Sequence, residues 1–233
     1  MIKRIAQTAG FTGLLAALLL TLLQSVWVSP LIVQAETYET PAASEVHAHT
    51  DGAMSGHSHD AHAWEPEAGW QRLASTTGAN LVVAVGFALM LAGLYTLRPP
   101  TRTAQGVLWG LAGYATFCLA PTMGLPPELP GTAAADLLQR QLWWASAAAS
   151  TAVAIALLVF SKHWALKVLA VAILLTPHIM GAPQPLVHSS LAPQALEAQF
   201  KMASQLTNVA FWMALGVISA WLFRRTSETH HWA

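Results

Sequence analysis

The sequence predicts an all-α polytopic membrane protein of about six transmembrane helices, with a disordered, histidine-rich extracytoplasmic loop between the first two. Three observations predict this. Of 233 residues, 55% are hydrophobic and 9% are charged, against roughly 25% charged in a soluble domain. Apolar runs long enough for a ~30 Å hydrocarbon layer, about 20 residues as helix, recur along nearly the whole chain. After the first run the composition inverts to Glu, Asp, His, Gly, Ser and Pro, and a segment with so little apolar surface has nothing to bury.

The spans fall at about 5–33, 76–97, 105–123, 141–160, 164–180 and 206–223. Spans two, three and six carry internal glycines (Gly86, Gly93, Gly110, Gly113, Gly216), which in lipid let helix backbones approach closely. Gly106 and Gly110 form a small-xxx-small pair, read here as ordinary helix packing. The organisation that follows is a first transmembrane helix over 1–35, a periplasmic loop over 36–73, a five-helix domain over 74–225 and a short cytoplasmic tail over 226–233. Lys3-Arg4, the apolar stretch and Val33-Gln34-Ala35 also resemble a signal peptide. The segment's length, with Gln24, Ser25 and Pro30 inside it, favours an uncleaved span.

Lys and Arg concentrate in cytoplasmic loops, which orients the bundle. Six alternating spans put Lys3, Arg4, Arg98, Arg102, Lys162, Lys167, Arg224 and Arg225 on one side, and Arg72, Arg140 and Lys201 on the other. The first side is then the cytoplasm, with both termini there if the first segment is uncleaved. Among the acidic residues, only Glu228 falls on that side. The formal net charge is zero, and nothing in its distribution points to nucleic acid as a partner; the bilayer is the partner that composition demands.

Chemistry concentrates in the loop. His47, His49, His57, His59 and His62 lie within it, interleaved with Glu45, Asp51 and Asp60, in the run VHAHTDGAMSGHSHDAHAWEPE. Imidazole suits cobalt, nickel, copper and zinc, and histidine-rich tracts bind such ions because several neutral nitrogens converge on one centre. Residues two apart diverge on a helix, so His47-x-His49 and His57-x-His59 chelate best from a mobile chain; His59 and His62 also share one helical turn. Glu36 and Glu39 follow the first span and are candidate capture ligands, though solvation at a helix end explains them as well.

Within the spans, His178 is the candidate for a path, in Thr176-Pro177-His178-Ile179-Met180-Gly181-Ala182-Pro183. Prolines there are expected to interrupt the fifth helix, and broken backbone in a membrane must face protein or water. Asn80, Gln205 and Asn208 map to the same outer half; intramembrane polar groups are functional candidates by default, but hydrogen bonding to a neighbouring helix explains Asn80 and Asn208 better. Met123, Met180 and Cys118 are soft, yet in lipid such residues are more often filler. His163 sits at the cytoplasmic face, and His230-His231 close the chain.

Cys118, the sole cysteine, rules out an internal disulfide and a Cys-based zinc motif. No lysine follows a glycine, so no Walker A loop is present and the chain is not the ATPase of a pump. An H-E-x-x-H motif is missing too, and the lack of any complete catalytic constellation argues against an enzyme.

The whole chain resembles the CbtA family of cobalt transporter subunits. The resemblance rests on Gln34-Ala35-Glu36-Thr37-Tyr38-Glu39, the loop leading into Trp64-Glu65-Pro66, and Gly110-Leu111-Ala112-Gly113-Tyr114. It continues through LAPTMGLPPELPG (119–131), Arg140-Gln141-Leu142-Trp143-Trp144, PHIMGAPQP (177–185), and Leu206-Thr207-Asn208 before Phe211-Trp212. The resemblance implies a permease subunit of a bacterial inner membrane that takes up divalent cobalt (or nickel) for cobalamin biosynthesis, beside a small membrane partner resembling CbtB. No cofactor is expected to be permanently bound, the metal being captured cargo. The family is described with five spans; a cleaved first segment would reconcile that with six. The other reading is a membrane metal-binding or sensing protein that hands metal or signal to a partner without transporting it.

Overall fold

A computed structural model describes residues 2–47, 66 and 69–228. These are mainly helical: α1 Ile2–Leu23, α2 Ser29–His47, α3 Trp70–Leu97, α4 Gln105–Tyr114, α5 Ala120–Thr122, α6 Leu137–Phe160, α7 Trp164–Met180 and α8 Gln194–Glu228. Among the described residues there is no strand, only an antiparallel bridge between Thr132 and Ser190. In lipid the backbone must satisfy its own hydrogen bonds, which is why apolar runs of this length become helices. Among the described residues, four helices are long and apolar enough to cross a membrane. Trp164–Met180 is a shorter apolar helix, and α4 and α5 together carry the third predicted span.

The first and third spans pass through a proline by way of a π turn. A proline ring clashes with the carbonyl four residues back, and in both cases that carbonyl lies in a single widened π turn. Gln24–Val28 joins α1 to α2 ahead of Pro30, and Ala115–Leu119 joins α4 to α5 ahead of Pro121. Opening the turn by one residue removes the clash.

Helices in lipid gain little from hiding apolar surface from one another, so close packing must hold them together. The residues that do this are small. Ala9, Ala16 and Ala17 of α1 meet Ala84, Ala88 and Ala92 of α3, and Gly13 sits against the backbone of Val85. Along α4 and α8, Gly106 and Gly110 lie against the backbone of Gly216 and Trp212, and Gly113 lies under the Trp212 ring. Gly106, Gly110, Gly113 and Gly216 thus play the packing role predicted for them, whereas Gly86 and Gly93 of α3 have nothing within 4 Å of a Cβ built there and pack against no neighbouring helix. Phe211, Trp212, Leu215 and Phe223 of α8 complete this core. The α6–α7 hairpin stands to one side and reaches it through the α4–α5 segment.

Contacts at the helix ends fix the alternation. At one end Arg4 donates from Nε to the Phe223 carbonyl at 3.0 Å, Arg224 reaches Thr103 at 3.2 Å, and the Arg98 guanidinium lies over Phe160. At the other, Ala35, Leu129, Ala192, Leu196 and Phe200 form a second core with Val28, Leu31 and Ile32. Six helical passes, the α1–α2 and α4–α5 pairs each counting as one, therefore run alternately between the two ends. At the second end several helices extend beyond the predicted spans. The first continues to His47, α3 starts at Trp70 and α8 at Gln194. The second core accounts for the start of these extensions, because Ala35, just past the first predicted span, packs with Leu196 and Phe200 of the α8 overhang.

Candidate metal-handling site

The residues predicted to act on metal do not form one assembled centre. Among the described residues, no three of His, Cys, Asp and Glu come together in a way that could hold a metal ion. His49, His57, His59, His62 and Asp60 lie outside the described residues, as do His230 and His231. His47 closes α2, so the histidine-rich segment leaves the bundle from a helix and returns at Trp70 to the same end. Glu36 is held by Arg72, Nη1 to Oε1 at 3.0 Å. Glu39 is half-buried on the next turn of α2.

His178 sits edge-on against Trp143 of α6, ring centroids 5.8 Å apart, and Trp143 donates its indole N–H to the Pro177 carbonyl at 3.1 Å. The prolines do not interrupt this helix. Pro177 lies within α7, which ends only after Met180, where Gly181 takes φ +82°. A proline in the last turn removes one hydrogen bond near an end that is fraying anyway, and the positive φ of the glycine is what stops the helix.

Asn80 and Asn208 make structural contacts in two other places. Asn80 is buried between α1 and α3, donating to Thr21 Oγ1 at 3.0 Å and Gln24 Oε1 at 2.7 Å. Asn208 donates to the Ser204 carbonyl of its own helix at 2.9 Å. Gln205 bridges α8 to the α4–α5 segment: it accepts from the Tyr114 hydroxyl at 2.8 Å and donates to Thr122 at 2.9 Å. Cys118 accepts from the Trp212 indole at 3.3 Å. Met123 and Met180 are exposed on the outside of the bundle, as filler facing lipid would be. Phe117 stacks on Trp212 at 5.6 Å, with Phe87 packed against both at 4.9 and 4.6 Å, so aromatic rings fill the bundle in this region.

Two clefts open at the end where α2 stops and α3 starts. The smaller, about 370 Å³, has the more polar wall of the two, with His188, Glu197, Lys201 and Gln184 in it. The larger, about 770 Å³, is mostly apolar and reaches Ile32, Trp144 and Phe200. They share a wall that includes Leu125, Pro126, Leu129 and the ion pair of Glu128 with Arg140, whose Oε2 and Nη2 are 2.9 Å apart. The loop after α5 and the loop before α8 are tied by the Ala133 N–H to the Ser189 carbonyl at 2.9 Å and the Leu191 N–H to the Gly131 carbonyl at 3.3 Å.

Sequence reasoning passed over His188, Glu128 and Arg140 as site residues. Glu128 lies in a proline-rich run and Arg140 in the first turn of α6, so no periodic spacing announces the pair. Only their charge at a predicted membrane boundary could have flagged them. The same end shows a charge pattern the sequence did foreshadow. Arg72, Arg140 and Lys201, the three basic residues placed there by counting, are each ion-paired with a carboxylate: Glu36, Glu128 and Glu197.

A family model for the probable cobalt transporter subunit CbtA matches residues 2–224. The chain belongs to the CbtA family. No curated protein and no solved structure matches it. Membership makes this multi-pass membrane protein a cobalt transporter subunit, and the word subunit implies that it works with a partner. The match runs through the first helix and through both loops that wall the clefts, so α1 and the Glu128–Arg140 region fall within the matched stretch.

Proposed function

We propose that this subunit takes up divalent cobalt, with nickel as a second cargo, by capturing the ion on a periplasmic histidine-rich segment and delivering it to the bundle end that carries the two clefts. The observation that supports this most is the placement of that segment's two anchors. The helix before it, α2, ends at His47 and the helix after it, α3, starts at Trp70, both at the end where Glu128 and His188 line clefts. Family membership supplies the cargo and lysine–arginine counting supplies the orientation. The burial of Thr8, Ala9, Thr12 and Ala16 of α1 within the bundle supports reading the first segment as a retained span of an inner-membrane protein. A small membrane partner resembling CbtB fits the designation of subunit.

Inward movement of a divalent ion gains ~4.6 kcal/mol per 100 mV of membrane potential, twice the single-charge value. A sensor would bind metal and pass none. Cobalt uptake by cells carrying the chain, with and without its partner, tests the reading. Replacing His47, His49, His57, His59 and His62 should reduce uptake at scarce metal while leaving the maximal rate largely intact, since multivalent capture acts through effective concentration. His178→Ala should lower the maximal rate at saturating metal, with the protein present in normal amount. Uptake unchanged by either substitution would remove both capture and passage roles.

A further inference from the structure

A path for a divalent cation needs a negative ligand at its mouth, and that ligand must be tolerable when no ion is bound. An unpaired carboxylate near hydrocarbon is costly. Arg140 lies 20 residues from the far end of α6 at Phe160, about 30 Å at 1.5 Å per residue, so it stands at the boundary of the apolar layer. Glu128 meets it there, and both side chains retain about a quarter of their exposure, 27% for Glu128 and 29% for Arg140. The pair is reachable from water on the polar side and borders the larger apolar cleft on the other.

We propose that Glu128 is a cation-exchange site in the wall between the two clefts, where the Arg140 guanidinium occupies the carboxylate until a divalent metal ion displaces it. This rests on the transport reading and gives it a first carboxylate. The contact between Nη2 and Oε2 uses one point of the guanidinium fork, and a single-point contact gives way more easily than a two-point one. The arginine swings aside on its tether and keeps its charge near the polar cleft. Glu197 with Lys201, at a looser 3.5 Å and with the lysine the more exposed partner, repeats the arrangement, and His188 offers an imidazole in the wall of the same cleft. The polar cleft thus balances two carboxylates with two bases when empty, and an arriving dication trades places with a resident cation at each step.

The two members of the pair should respond with opposite signs, which a purely structural salt bridge would not do. Binding of Co²⁺ alone is measured on the full-length protein purified in detergent, with the five loop histidines replaced by alanine to remove background. Glu128→Gln should raise the half-saturating Co²⁺ concentration by tenfold or more. Arg140→Gln, which removes the competitor and keeps the carboxylate, should lower it several-fold. If Arg140→Gln does not reach the membrane, Glu128→Asp takes its place; it keeps the charge but draws it back from Arg140, and should bind at least as tightly as the parent. Weakened binding in both Glu128→Gln and Arg140→Gln, an Asp variant as weak as Gln, or unchanged binding in Glu128→Gln would each overturn the exchange site. Cobalt uptake by the parent, measured alongside, tests the transport reading separately, since binding is read on protein that moves nothing.

Discussion

Gly216→Ala should destabilise the bundle by about 2 kcal/mol, although alanine is the better helix former. A Cβ at this position would meet the Gly106 carbonyl oxygen, the Gly110 nitrogen at 2.7 Å and the Gly110 Cα at 2.9 Å. All three are backbone atoms, which have no rotamer to change, so α4 and α8 must part. Overpacking of this kind costs about 1–3 kcal/mol, and the rigid neighbours place it at the upper end. Against it stands a helix-propensity gain of about 0.5–1 kcal/mol, and the clash wins. Gly86→Ala is the control, because nothing lies within 4 Å of a Cβ built there; it should be neutral or slightly stabilising. Unfolding in mixed micelles titrated with dodecyl sulfate, followed by tryptophan fluorescence, reads both, and Trp212 reports from the seam itself. A Gly216→Ala protein as stable as Gly86→Ala would refute the close α4–α8 approach.

Asn80→Ala loses two interhelical hydrogen bonds worth about 0.6 kcal/mol each in a membrane; the same titration should show a loss of about 1 kcal/mol, with uptake at saturating cobalt unchanged if Asn80 is structural. Metal binding by the histidine-rich segment requires neutral imidazole and releases protons, so affinity should fall as pH drops through ~6.5; calorimetry on a 36–70 peptide showing equal affinity at pH 7.5 and 5.5 would exclude imidazole ligation. For topology, Ser189→Cys should react with an impermeant thiol reagent in intact cells and Thr101→Cys only after lysis, each in a Cys118→Ala background. The reverse pattern would invert the orientation and place the clefts in the cytoplasm.

The sequence by itself determined the fold class, the six passes and the packing glycines of the α4–α8 seam, but not which glycines of α3 face open space: Gly86 and Gly93 have no neighbour within 4 Å of a Cβ built there. Each rests on a local property: an apolar run either is or is not long enough to cross, and charge counting needs only the order of spans. It also singled out the histidine-rich segment, because its composition departs sharply from the apolar runs on either side. Tertiary structure decided what depends on partners distant in the chain. Asn80 proved to clasp Thr21 and Gln24, His178 to stand against Trp143 and Asn208 to bond within its own helix, so the three do not share one set of contacts. Pro177 did not break its helix, because a proline's effect depends on how many turns follow it and only Gly181 fixes that number. Glu128 and Arg140 were two unremarked charges until folding set them 2.9 Å apart in a wall shared by two clefts. Such a pairing is invisible to periodicity, since one member lies in a loop whose course is fixed by the helices around it and not by its own residues.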